Sequence, residues 1–156
     1  IDKLPPFSRL GIIRSDSILP LIFNNTIADN ESADQGGGTY FWYASPKIVN
    51  SILWGNNGGE ISHEGSSIAV TYSDIQGGYS GTGNIDQAPL FVGSGDYHLT
   101  AFSPCIDTGT SDGAPDRDID GNSRPLGAGY DMGVDEYLVK NSMPWIPLLF
   151  LTNEYE

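Results

Sequence analysis

Two stretches of this chain are written alike, 26 residues apart, and no other feature constrains the fold as much. Residues 11–30, GIIRSDSILPLIFNNTIADN, lie over 37–56, GGTYFWYASPKIVNSILWGN, without a gap. Gly11/Gly37, Pro20/Pro46, Ile22/Ile48, Asn24/Asn50 and Asn30/Asn56 are identical, and Phe23/Val49 and Ile27/Leu53 keep their apolar character. The identities fall on the residue types that fix turns and core contacts. A looser third copy follows at a shift of 22, where VTYSDIQGG (70–78) matches IVNSILWGN (48–56). Val70 falls on Ile48, Ser73 on Ser51, Ile75 on Leu53 and Gly77 on Gly55, while Tyr72 takes the place of Asn50. Repeats of this length build stacked arrays in which each unit buries its apolar face against the next.

The apolar pieces within each copy are short, rich in Ile, Val, Thr and aromatics, and bounded by Gly, Asn, Asp and Pro. That composition suits strands and tight turns. Helical repeats need long uninterrupted helices, which DQGGGTY (34–40) forbids, and leucine-rich repeats would carry a denser leucine ladder. A parallel β-solenoid remains, one coil per repeat over residues 1–80, with strands of successive coils pairing about 4.8 Å apart. Equivalent side chains then stack. Asn24 on Asn50 and Asn30 on Asn56 are expected to be structural ladder residues, placed inward at bends. Asparagine also tolerates the left-handed backbone that a bend requires. Glycan contact is the competing role for these asparagines.

Composition removes several function classes. Asp and Glu number 20 against 7 Lys and Arg, a net charge of −13. A nucleic-acid partner needs a basic stripe to displace counterions, and there is none; anionic membrane surfaces would be repelled. No segment carries the roughly 20 apolar residues of a membrane span. Cys105 is the sole cysteine, with no CxxC or Cys/His cluster for zinc, and is expected as a small buried apolar residue. The chain begins at Ile1, which suggests a processed or excised product.

Beyond residue 80 the repeat gives way to irregular sequence with apolar clusters at 89–92, 97–99 and 104–106. The last coil of a solenoid leaves unpaired strand groups and an open core, and residues 81–137 are expected to cap them. Residues 138–156, which include MPWIPLLFL, form an apolar tail expected to dock or to be a sorting remnant. The segments SILWGN, VTYSDIQGGYSGTGNIDQAPLFV, GDYHLTAFSPCIDTG, DIDGNSRP and DMGVDEY occur in that order. In these motifs, over about residues 11–137, the chain resembles the secreted bacterial right-handed parallel β-helix repeat proteins of the choice-of-anchor Q group. The resemblance implies an all-β right-handed parallel β-helix, here of few coils with an irregular C-terminal cap, and an extracellular or cell-surface location. The first ten residues, IDKLPPFSRL, fit no repeat.

The densest candidate site is DRDIDGN at 116–122. Asp116, Asp118 and Asp120 alternate and Gly121 and Asn122 follow, the opening pattern of a calcium loop with oxygen ligands two residues apart. The glutamate that would close such a loop is absent. Calcium held by Asp116, Asp118, Asp120 and Asn122 competes with an Asx-rich turn whose carboxylates bind backbone amides. His63 and His98 lie 35 residues apart, and His98 is expected as a plain strand residue of the cap. Tyr40, Phe41, Trp42 and Tyr43 cannot all point inward, because strand side chains alternate. Tyr40 and Trp42 are expected on one face and Phe41 and Tyr43 on the other, the outward pair contacting a sugar or protein partner or packing under a loop. Pectate-lyase-like and polygalacturonase-like chemistry requires a basic residue beside bound calcium, or clustered aspartates with His and Arg, and no such motif stands on the coils. The expectation is a non-enzymatic structural or adhesive surface module. Its partners would be copies of itself, upstream coils stacked on its open end, or glycans. A carbohydrate-binding or carbohydrate-active domain is the alternative.

Overall fold

The computed structural model describes residues 12–14, 19–33 and 35–138; IDKLPPFSRL and the tail beyond residue 138 lie outside them. Nine short strands run in three repeated passes. The first pass is β1 (Ile12–Arg14), β2 (Leu21–Phe23) and β3 (Thr26–Ala28). The second is β4 (Thr39–Trp42), β5 (Lys47–Val49) and β6 (Ile52–Trp54), and the third is β7 (Ile61–Glu64), β8 (Ala69–Thr71) and β9 (Asp74–Ile75). Corresponding strands pair in parallel, giving three three-stranded sheets ordered β1-β4-β7, β2-β5-β8 and β3-β6-β9. A two-stranded antiparallel hairpin, β10 (Phe91–Gly93) and β11 (Asp96–Leu99), follows. Among the described residues there is no helix, and none is long and apolar enough to cross a membrane.

The register bears out most of the repeat. Ile22 faces Ile48 and Ile27 faces Leu53, a shift of 26. Ile48 faces Val70 and Leu53 faces Ile75, a shift of 22 that also carries β4 onto β7. One part is corrected: β1 pairs with β4 at a shift of 28, Ile12 facing Tyr40, so the 26-residue register does not extend back to Gly11/Gly37. The connection from β1 to β2 is two residues longer than that from β4 to β5, and the gap-free alignment hid this length difference.

Strands β2 to β9 are short because a left-handed residue closes each of them. Asn24, Asn50 and Tyr72 follow β2, β5 and β8 with φ of 51°, 50° and 49°. Asp29, Gly55 and Gly77 hold the equivalent bend after β3, β6 and β9, and Tyr43 and Gly65 after β4 and β7. L-residues adopt this conformation at a cost of about 1–2 kcal/mol, least for Asn and Asp, whose side chains bond locally. The bend positions are therefore written in Asn, Asp, Gly and, twice, Tyr.

Adjacent residues of a strand face opposite ways, and two cores result. Phe41, Ile48, Leu53, Val70 and Ile75, with Ile22, Ile27 and Ile61 against them, draw on all three sheets and fill the space between them. Ile52, on the other face of β6, packs with Leu99, Cys105 and Met132. The C-terminal segment thus lies along the outside of β3-β6-β9. Val134 N–H donates to Thr26 Oγ1 in the first pass, Gly133 N–H to the Asn50 carbonyl in the second, and Cys105 Sγ meets Asp74 in the third. The approach is close: a Cβ on Gly133 (φ 90°) would stand 2.7 Å from Ile52 Cδ1 and 2.8 Å from Thr26 Oγ1. Among the described residues of the cover, only 79–87 continue the stack, where Ile85 bridges Asp74 in parallel. The expected end cap is mostly a side cover.

Candidate functional site

The asparagine ladders form. Asn50 Nδ2 donates to Asn24 Oδ1 at 3.3 Å, and Asn30 Nδ2 to Asn56 Oδ1 at 2.9 Å. The first is not inward, as expected, but beneath the C-terminal cover. Asn24 Nδ2 donates to the Asp131 carbonyl, Asn50 Nδ2 to the Thr110 carbonyl, and Asn50 Oδ1 accepts Thr110 N–H. The left-handed bend swings these side chains out of the interior and onto the covering segment. Asn56 is held by Glu60, which takes its backbone and side-chain N–H groups. Burial raises the Glu60 pKa, with those hydrogen bonds opposing. A further ladder was not foreseen. Ser51 Oγ accepts Asn25 N–H, Ser73 Oγ accepts Ser51 N–H, and Asn84 Oδ1 accepts Ser73 N–H. The Ser51/Ser73 match was the available signal.

The aromatic run is divided differently from expectation. Phe41 is fully buried in the interior core and offers nothing to a partner. Tyr43 does not share its face, because φ of 48° turns it outward, where it is 58% exposed and packs edge-on to Trp42 at 5.9 Å. Tyr40 and Trp42 are half-buried on the outer face of β4.

The acidic loop is corrected too. Asp118 makes the Asx turn. Its Oδ1 accepts Asp120 N–H and Asn122 N–H, and its Oδ2 accepts Asn122 Nδ2 and Glu136 N–H. Burial pushes the Asp118 pKa up, but these four hydrogen bonds outweigh it and the net shift is down. A carboxylate so occupied has little left for a cation. Asp116 is exposed, Asn122 turns its N–H groups to Asp118, and Asp120 is grouped with His98 and Asp135 instead. Asp116, Asp118, Asp120 and Asn122 therefore do not form one cage.

Asp120 instead joins residues distant in sequence. β11 brings up Asp96 and His98, two apart and so on one face, and Asp135 arrives from the end of the cover. His98 Nδ1 lies 2.5 Å from Asp96 Oδ1, and His98 Nε2 lies 3.1 Å from Asp120 Oδ2. Asp135 is 5% exposed, with Oδ2 accepting Leu99 N–H at 2.8 Å. One donor atom each from His98, Asp120 and Asp135 fall within 4.8 Å of one another. These groups line a cleft of about 550 Å3 with Val92, Ala101 and Leu138. The Asp96 hydrogen bond holds the His98 pKa above its usual value, burial opposing and Asp135 and Asp120 adding. The same bond lowers Asp96, and burial raises Asp135 against the pull of Leu99 N–H. Sequence reasoning missed His98 because its partners lie 22 and 37 residues away; Asp96-x-His98 on a strand was the only local sign.

Cys105 is as expected, fully buried. Its Sγ donates to Asp74 Oδ2 at 3.3 Å, and burial pushes the thiol pKa up. Compared with known proteins, the chain matches no family model, no curated protein and no solved structure.

Proposed function

We propose that the chain is a short right-handed parallel β-helix of the kind the choice-of-anchor Q resemblance implies, acting outside the cell as a non-enzymatic structural or adhesive module. The observation that carries this reading is the strand-for-strand register of three passes in three parallel sheets, tied together by side-chain ladders. Such a body is a rigid spacer with a regular outer surface. Three cations are engaged within the chain itself. Lys47 pairs with Asp112, Arg117 bonds the Gly121 carbonyl, and Arg124 is buried against Glu136. Strands β1, β2 and β3 pair on one side only among the described residues, which suits stacking on upstream coils or on a second copy. The outward Tyr43, beside Trp42, suits a flat contact with a glycan or protein surface.

The test places beads coated with the chain on immobilised cell-wall and acidic polysaccharides, with product release assayed alongside. Adhesion without release of unsaturated or reducing sugar is expected, and it should fall with Tyr43→Ala. Steady sugar release by the purified chain would replace this reading with the carbohydrate-active one.

A further inference from the structure

We propose that His98, Asp120 and Asp135 form a site for a borderline divalent cation of the zinc class, with Asp96 as the residue that positions the histidine. This inference is independent of the adhesive reading above.

The donor set comes first. His98 Nδ1 is held by Asp96 at 2.5 Å, so in the neutral ring Nδ1 carries the proton and the Nε2 lone pair points toward Asp120 and Asp135. A carboxylate on the far nitrogen is how metal-binding histidines are oriented. One imidazole nitrogen with two carboxylate oxygens suits zinc and its neighbours better than calcium, which takes oxygen donors alone. Three protein ligands leave a coordination position open to the cleft.

The second observation is Asp135. Its Oδ2 accepts Leu99 N–H, which fixes the carboxylate where it lines the cleft that His98 and Asp120 share, its donor atom within 4.8 Å of theirs. Asp135 is fixed by Leu99, and the exposed Asp120 carboxylate is held by His98 Nε2, the nitrogen a bound ion would take over, so the three donor atoms already lie within 4.8 Å of one another.

The test uses the full, tag-free chain, stripped with a chelator and titrated calorimetrically with zinc chloride and separately with calcium chloride. One zinc per chain is expected, with a rise in Tm that grows with zinc concentration as mass action requires. His98→Gln and Asp120→Asn alter a half-buried and an exposed position outside both cores and should keep the native circular dichroism spectrum while weakening zinc binding at least about tenfold. Asp96→Asn should also weaken it about tenfold while leaving one zinc per chain. In imidazole nitrogen NMR, zinc should move the His98 resonances and leave those of His63 in place. The proposal is overturned if native chain takes up no zinc stoichiometrically, if both ligand variants bind as the native chain does, if His63 is the residue that responds, or if calcium binds and zinc does not.

Discussion

At the scale of single residues, the bends carry more information than the strands. Asn50 illustrates how much one side chain supports. It sits at φ 50°, donates to the Thr110 carbonyl and to Asn24, and accepts Thr110 N–H, all without exposure to water. Two costs can be separated here. Asn50→Gly keeps the left-handed backbone at ease but leaves Thr110 N–H unbonded, a loss of about 1–3 kcal/mol. Asn50→Ala adds the strain of an alanine in that conformation, a further 1 kcal/mol or so. Urea unfolding should therefore rank native chain, Asn50→Gly and Asn50→Ala in falling order of stability. An alanine variant as stable as the glycine one would show that the bend has no strain to relieve. Asparagine at this position was legible as bend and ladder. Its direction was not, because the same φ that favours asparagine also turns the side chain out of the coil, and nothing in a one-dimensional repeat reports that turn.

At the scale of elements, the sequence was informative wherever a strand stacks on its own copy and silent wherever unlike segments meet. β5 on β2 and β8 on β5 could be read directly, since Ile22, Ile48 and Val70 repeat one interior position. The cover has no copy to compare with, and its contacts span as much as 109 residues, as between Asn24 and Gly133. That is why the aspartate loop was legible as a turn candidate but the His98–Asp120–Asp135 cluster was not. The cover is closed on itself by a buried ion pair. Arg124 Nη1 donates to Glu136 Oε1 at 2.8 Å, both side chains almost wholly out of water, and Glu136 also accepts Asp131 N–H and Leu126 N–H. Arg124 Nε has no partner, so the guanidinium depends on Glu136 for its compensation. Glu136→Gln removes the charge and strands a buried cation, which typically costs about 3–5 kcal/mol. Chemical denaturation should show that loss, and hydrogen exchange should show it concentrated in residues 105–137. A change below about 1 kcal/mol would mean that the pair merely replaces two ordinary polar contacts.

At the scale of the whole molecule, the acidity is not all on the surface. Burial raises Asp74 and Asp131 each to about 6 and raises Glu60 as well, in a chain whose net charge is −13. The direction of the pH dependence follows. A carboxyl whose folded pKa lies above its unfolded value holds its proton more tightly in the folded state, so its stabilisation is complete below about 4 and is lost as pH rises through about 6. Two pKa units correspond to roughly 3 kcal/mol per group, an upper bound for groups bonded as these are. Asp118 works the other way, contributing above its ordinary range and losing that contribution only in stronger acid. Stability should therefore climb as pH falls from 8 toward 5. General repulsion among 20 acidic residues predicts the same climb, so the rise alone decides nothing. Asp74→Asn separates the two causes. The amide can still accept the Gln87 N–H that Asp74 Oδ1 now takes, and it carries no charge into the space beside Cys105. If burial is the cause, Tm of this variant exceeds that of the native chain near pH 7.5 and the two curves converge near pH 4. Asp116→Asn, which removes an equal charge from an exposed site, should then shift Tm little. Equal shifts from the two variants, or a difference at Asp74 that does not change with pH, would instead assign the effect to net charge.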